Sequence, residues 1–164
     1  MSISLCVKLG NNTIPKRVLY DYLLDKWKSI VLSDVSPIFL DRSEGNLSFG
    51  GKQDYSDIII DDEAGVRCLC YFAGAKDVSN ENSGWWLDIS VTVRTEESIL
   101  LLAITSACFA EIASTNVADD ANIMHLGISV KPARIFQIVS SIDRLNLSNA
   151  ASEICKIFGI SFSR

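Results

Sequence analysis

Two short runs of carboxylates carry the chemistry this sequence offers most openly. Asp61, Asp62 and Glu63 are consecutive, and Asp119 and Asp120 are adjacent. Such runs can hold a hard divalent cation through oxygen ligands, or they can attract a basic partner. For the cation, neighbouring side chains on a loop diverge, neither run has the spacing of an EF-hand loop, and the fold would have to bring the two together. For the partner, the surrounding charge agrees. Between Asp61 and Val130 stand eleven acidic residues and three basic ones, Arg67, Lys76 and Arg94, a local charge of −8 in a chain whose total is −5. A surface of that sign repels phosphate backbones and anionic headgroups and draws in basic proteins at rates that fall with salt. Nucleic acid and membrane surfaces are therefore not expected as partners. A net charge of this size also serves many proteins simply as a solubilising coat.

The other reactive side chains are isolated. Cys6, Cys68, Cys70, Cys108 and Cys155 are odd in number and sit in apolar segments, unlike the even framework of a secreted disulfide scaffold. On a strand Cys68 and Cys70 would share a face, but a structural zinc site needs about four N or S ligands, and His125 is the only histidine. His125 in its apolar setting reads as a core or edge residue before it reads as a base. Glu111 lies late on an apolar helix, where a carboxylate more often emerges at the edge than acts as a general base. Glycine-rich phosphate loops, G-x-S-x-G and H-E-x-x-H are missing. The reading is a protein that is not an enzyme, with no cofactor and no bound metal.

These residues are positioned by a mixed α and β chain. Its 164 residues suit one domain, and nearly half of them are apolar. Ser2 to Lys8 alternates as a half-buried strand, and a helix follows from about Ile14 to Leu32, capped by Asn12 or Thr13 with Pro15 in its first turn. Ile38 to Leu40 and Leu47 to Phe49 suggest two short strands before Gly50-Gly51. Asp57 to Ile60 and Val66 to Phe72 flank the tight acidic loop 61–65, and after the polar stretch Lys76 to Gly84 a further strand runs from Trp85 to Val93. Trp85-Trp86 would place one indole inside and one outside, where a tryptophan can anchor an interface. Thr95 caps a helix to about Ser114, with Glu96 and Glu97 in its first turn and small residues allowing close approach. Ala121 to Ile128 reads as another strand, with Asp119-Asp120 at its entrance. Ser129 to Asp143 and Ser148 to Phe158 read as closing helices. The expected fold is α+β, an antiparallel meander packed by a central helix with further N-terminal and C-terminal helices. The apolar run Ile99 to Ile112 is too short to span a membrane, and the N-terminus lacks the features of a signal peptide, so a cytoplasmic location is expected.

The order Trp85-Trp86-Leu87-Asp88-Ile89-Ser90-Val91, then Phe109-Ala110-Glu111-Ile112-Ala113, then Val117-Ala118-Asp119-Asp120, resembles a strand, alanine-rich helix and acidic exit found in small immunity proteins of bacterial polymorphic-toxin and contact-dependent growth inhibition systems. The resemblance covers about 36 residues. It implies a non-enzymatic antidote that binds a cognate toxin domain, often a basic nuclease, and blocks its active site with acidic residues. On that implication Asp61, Asp62, Glu63, Asp119 and Asp120 contact the toxin and Trp85 or Trp86 anchors it. Two other classes compete. An acidic secretion chaperone of similar size would hold an unfolded effector, and a small metal-dependent enzyme would use Glu111 or the Asp119-Asp120 pair.

Overall fold

The computed structural model describes residues 3–10, 16–31, 35–39, 54–61, 66–74, 85–142 and 146–162. The fold is α+β. Its strands are β1 (Ile3–Gly10), β2 (Ile38–Phe39), β3 (Asp54–Asp61), β4 (Val66–Gly74), β5 (Trp85–Val91), β6 (Val117–Ala118) and β7 (Ser129–Val130). Its helices are α1 (Lys16–Ile30), α2 (Glu96–Ile112), α3 (Pro132–Ser140) and α4 (Leu147–Ile157). The sheet runs β2-β3-β4-β5-β1-β6-β7, and every neighbouring pair is antiparallel. The expected meander is β3-β4-β5. The N-terminal strand then closes against β5, so β1 and β5 form the centre of the sheet.

Period-two alternation decides the two faces of that sheet. Leu5, Val7 and Leu9 of β1, Leu87, Ile89 and Val91 of β5, and Val66, Cys68 and Cys70 of β4 are buried on the helix side. Ser4, Cys6, Lys8, Trp86, Asp88 and Ser90 take the other side and are only partly buried or exposed.

Helix α2 is apolar around its whole circumference because it is enclosed on all sides. Every residue from Ser98 to Ala110 is buried, with the sheet on one side and α1, α3 and α4 on others. Its start is fixed by Thr95, whose hydroxyl accepts a hydrogen bond from the Ser98 amide at 3.1 Å, and Glu96 and Glu97 follow in the first turn. Trp27 locks the far end of α1. Its ring is 1 % exposed, and its indole N–H donates to the Val35 carbonyl at 3.0 Å, so the burial leaves no polar group stranded. Helix α4 is capped in the same way as α2, with the Asn146 side chain accepting from the Asn149 amide.

Two readings need correction. Ala121 to Ile128 is not a strand: it is a run of turns between two-residue strands β6 and β7. The apolar residues there do not alternate across a sheet, because Asn122 and His125 adopt left-handed backbone angles that no strand permits. The helix expected from Ser129 begins only at Pro132, since Ser129 and Val130 pair with β6. The caps proposed at Asn12 and Thr13, the strand Leu47 to Phe49 and the linker Lys76 to Gly84 lie outside the described residues.

Candidate functional site

Helix α2 packs against the sheet with α1, α3 and α4 around it, and the other face of β1 and β5 carries side chains that are partly buried or exposed. The centre of that face is a short ladder of cross-strand pairs. Lys8 stands opposite Trp86, Cys6 opposite Asp88 and Ser4 opposite Ser90. Trp86 is 38 % exposed, and the Lys8 ammonium sits 5.9 Å from its ring centroid, a cation–π contact at the outer limit of effective range.

Asp88 is the anomalous member. Its Oδ1 is buried and has no hydrogen-bond partner, and burial raises its carboxyl above the usual aspartate value. A native carboxylate oxygen without a partner is uncommon and calls for a reason. Cys6 beside it is half-buried, and its thiol is raised by burial first, then by the negative charges of Asp88 and Asp120. Ala118 pairs with Cys6, and the exposed Asp120 follows two residues later, at the β6 margin of the same face. Trp86, Asp88 and Asp120 thus form one surface, with Cys6 and Lys8 between them.

The sequence-derived site divides accordingly. Asp120 is exposed and joins this face. Asp119, expected to contact a partner, instead turns inward with no exposure at all: its two carboxylate oxygens accept the backbone amides of Ile123 at 2.7 Å and Met124 at 2.8 Å. Its strand parity explains the reversal, because Val117 points to the core and the residue two further on does likewise. Asp61 is the last residue of β3, in register with Val66. Asp62 and Glu63, with the side chain of Trp85, lie outside the described residues, although the Trp85 backbone pairs with Gly10 and Gly74. Asp61 does not lie beside Asp119 and Asp120. Strands β4, β5 and β1 separate β3, which carries Asp61, from β6, which at about 4.8 Å per strand is roughly 19 Å across the sheet. One cation shared by Asp61 and that pair is not supported by that order.

The remaining candidates are satisfied by neighbours. Glu111 is partly exposed at the edge of α2, where it accepts a hydrogen bond from the Tyr22 hydroxyl and lies 3.9 Å from the Lys26 ammonium. Lys26 in turn lies over the rings of Tyr22 and Phe136, at 5.3 Å and 4.4 Å from their centroids. The group clamps α1 to α2 and α3. Burial, and then the Glu111 hydrogen bond, lift the Tyr22 phenol well above its ordinary value. His125 is exposed in a turn, with its Nδ1 against the backbone of Gly159. Cys68 and Cys70 do share the core face of β4, both buried; burial drives the Cys68 thiol far up. Among the described residues no three His, Cys, Asp or Glu side chains converge as a metal site, and no helix is long and apolar enough to cross a membrane.

Sequence reasoning missed Asp88 as a site residue, although its place among the outward members of β5 was readable from alternation. What the alternation does not carry is the missing partner, which depends on the strands beside it. Compared with protein-family models, with curated proteins and with solved structures, the chain matches none.

Proposed function

We propose that this chain is a non-catalytic binding protein in which the face of β1 and β5 away from α2 docks a folded, basic protein domain, and that the domain is a bacterial toxin neutralised by the contact. The observation that carries the reading is Asp88. A desolvated carboxylate costs the free protein stability, and a cation docked over the neighbouring part-exposed tryptophan would offset that cost by its charge, without bonding the buried Oδ1 itself. Asp120 adds a second negative charge at the margin of the same face. A folded partner suits a rigid central sheet better than an unfolded client does, because a client held as a chaperone holds it needs an apolar groove, whereas this face is polar around one indole.

The test is protection. A candidate toxin domain is sought among the products of the genes that flank this chain's gene, and it is expressed in a sensitive cell with and without the chain. The reading requires survival only with the chain, and a 1:1 complex that weakens as salt rises. A toxin that kills equally in both cases would reject it.

A further inference from the structure

Lys8 and Trp86 meet at an irregularity in the centre of the sheet. They are cross-strand partners on β1 and β5, and directly after them the register shifts, so that Gly10 rather than Leu9 opposes Trp85. Such a bulge sharpens the local twist and re-aims the side chains beside it. Leu9 stays in the core at 1 % exposure, whereas Lys8 and Trp86 take the face away from α2.

Among the described residues the indole is the one charge-stabilising contact of the Lys8 ammonium, which lies 5.9 Å from the ring centroid and makes no ion pair. Asp88 stands two residues along β5, opposite Cys6, yet its buried Oδ1 takes no bond from Lys8. An exposed cation–π contact shifts an equilibrium only about two- to fivefold, so the ammonium leaves the ring at little cost. The position over Trp86 is thus already a cation site, and the chain fills it with a side chain of its own.

Resting on the reading that a cation of the toxin domain docks over Trp86, we propose that Lys8 is a built-in competitor for that position. In the free chain it occupies the ring; in the complex an arginine of the partner takes the ring and Lys8 turns to solvent. Arginine is the side chain that wins, because its planar guanidinium stacks on an aromatic face and is more weakly hydrated than an ammonium. A partner lysine offers nothing that Lys8 does not already supply. Lys8 thereby sets a threshold against loosely basic surfaces, which gives the face selectivity at some loss of affinity.

The experiment has one arm on the free, full chain and one on its complex with the candidate domain from the flanking genes. In the free chain the Lys8 Hε protons should resonate upfield of their random-coil position, and Trp86→Ala should remove that shift. Adding the domain to wild type should return them to the random-coil position. By calorimetry Lys8→Met, which keeps the apolar stem and drops the charge, should lower Kd about threefold beyond the change in Lys28→Met. Lys28, an exposed lysine of α1, controls for the equal change in net charge. Lys8→Arg should raise Kd, since its guanidinium holds the ring more firmly. Circular dichroism should show every variant folded. The proposal is overturned if the free Lys8 protons carry no ring-current shift, if that shift persists in the complex, or if Lys8→Met binds no tighter than Lys28→Met. Each of these leaves the toxin-binding reading standing so long as Trp86→Ala weakens the complex. A wild-type chain that binds no product of the flanking genes overturns both.

Discussion

Asp119 and Asp88 are two carboxylates with opposite consequences for stability. The buried Asp119 carboxylate accepts two backbone amides, and hydrogen bonds to a charged acceptor contribute about 1.5–3 kcal/mol each. In Asp119→Asn one of the two acceptors becomes an NH₂ facing an N–H, so urea denaturation should show a loss of about 2–3 kcal/mol. Asp88 has its carboxyl raised by burial, so the folded chain holds that proton more tightly than the unfolded one. Its contribution is most favourable below the ordinary aspartate value and is lost as pH rises through the raised one. Asp88→Asn removes this loss. The variant should therefore melt above wild type at pH 7, and the gap should narrow as pH falls to 3; equal melting temperatures at pH 7 would show that Asp88 is not strained. Tyr22 gives a spectroscopic check on the Glu111 clamp. In ¹³C-tyrosine spectra its phenol should stay protonated above the ordinary value of about 10, and Glu111→Gln should bring it part way back, since burial contributes more to the shift than the hydrogen bond does.

At the scale of elements, the local signals that were strong in sequence are the ones the fold keeps. Thr95 with Glu96 and Glu97 announced the start of α2, and its hydroxyl caps the helix there; Thr95→Ala should cost about 1 kcal/mol by thermal or urea denaturation. The alternation in Ser2 to Lys8 and from Trp85 to Val91 was equally readable, as were both closing helices to within a few residues, but Val93, expected to continue the strand, lies beyond its end and is exposed. What failed was Ala121 to Ile128. Its apolar residues looked strand-like, but the segment is governed by side-chain to backbone bonds from Asp119 and Asn122, which compete with a sheet ladder and leave no period to read. Asp119 was misjudged for a related reason. An adjacent acidic pair looks like a solvated tip, yet strand parity sends one carboxylate inward and the other outward. The insertion of β1 beside β5 is a long-range pairing with no local signature, and without it the face that joins Lys8, Cys6, Trp86 and Asp88 is invisible in the sequence.

For the whole molecule, the described helices and sheet enclose one core, and the half-buried face of β1 and β5 carries the one cysteine that is not fully buried. Four of the cysteines, Cys68, Cys70, Cys108 and Cys155, are buried, and Cys6 is half-buried on that face; burial lifts the Cys155 thiol to about 12, with Glu96 and Glu97 adding to it. At pH 8 a native thiol titration should therefore modify Cys6 alone, slowly, and Cys6→Ser should abolish the reaction, whereas denaturant should expose all five. A complex with the toxin domain should bury Cys6 and protect it further. The net charge of −5 predicts faster association at low salt. The central claim is that the Trp86 and Asp88 face binds the toxin domain, and the most direct measurement is the Kd of wild type against Trp86→Ala by calorimetry. A buried aromatic anchor contributes about 2 kcal/mol or more, so the account expects a Kd raised about 30-fold with the melting temperature preserved. An unchanged Kd for Trp86→Ala, in a wild-type complex that forms, would contradict it.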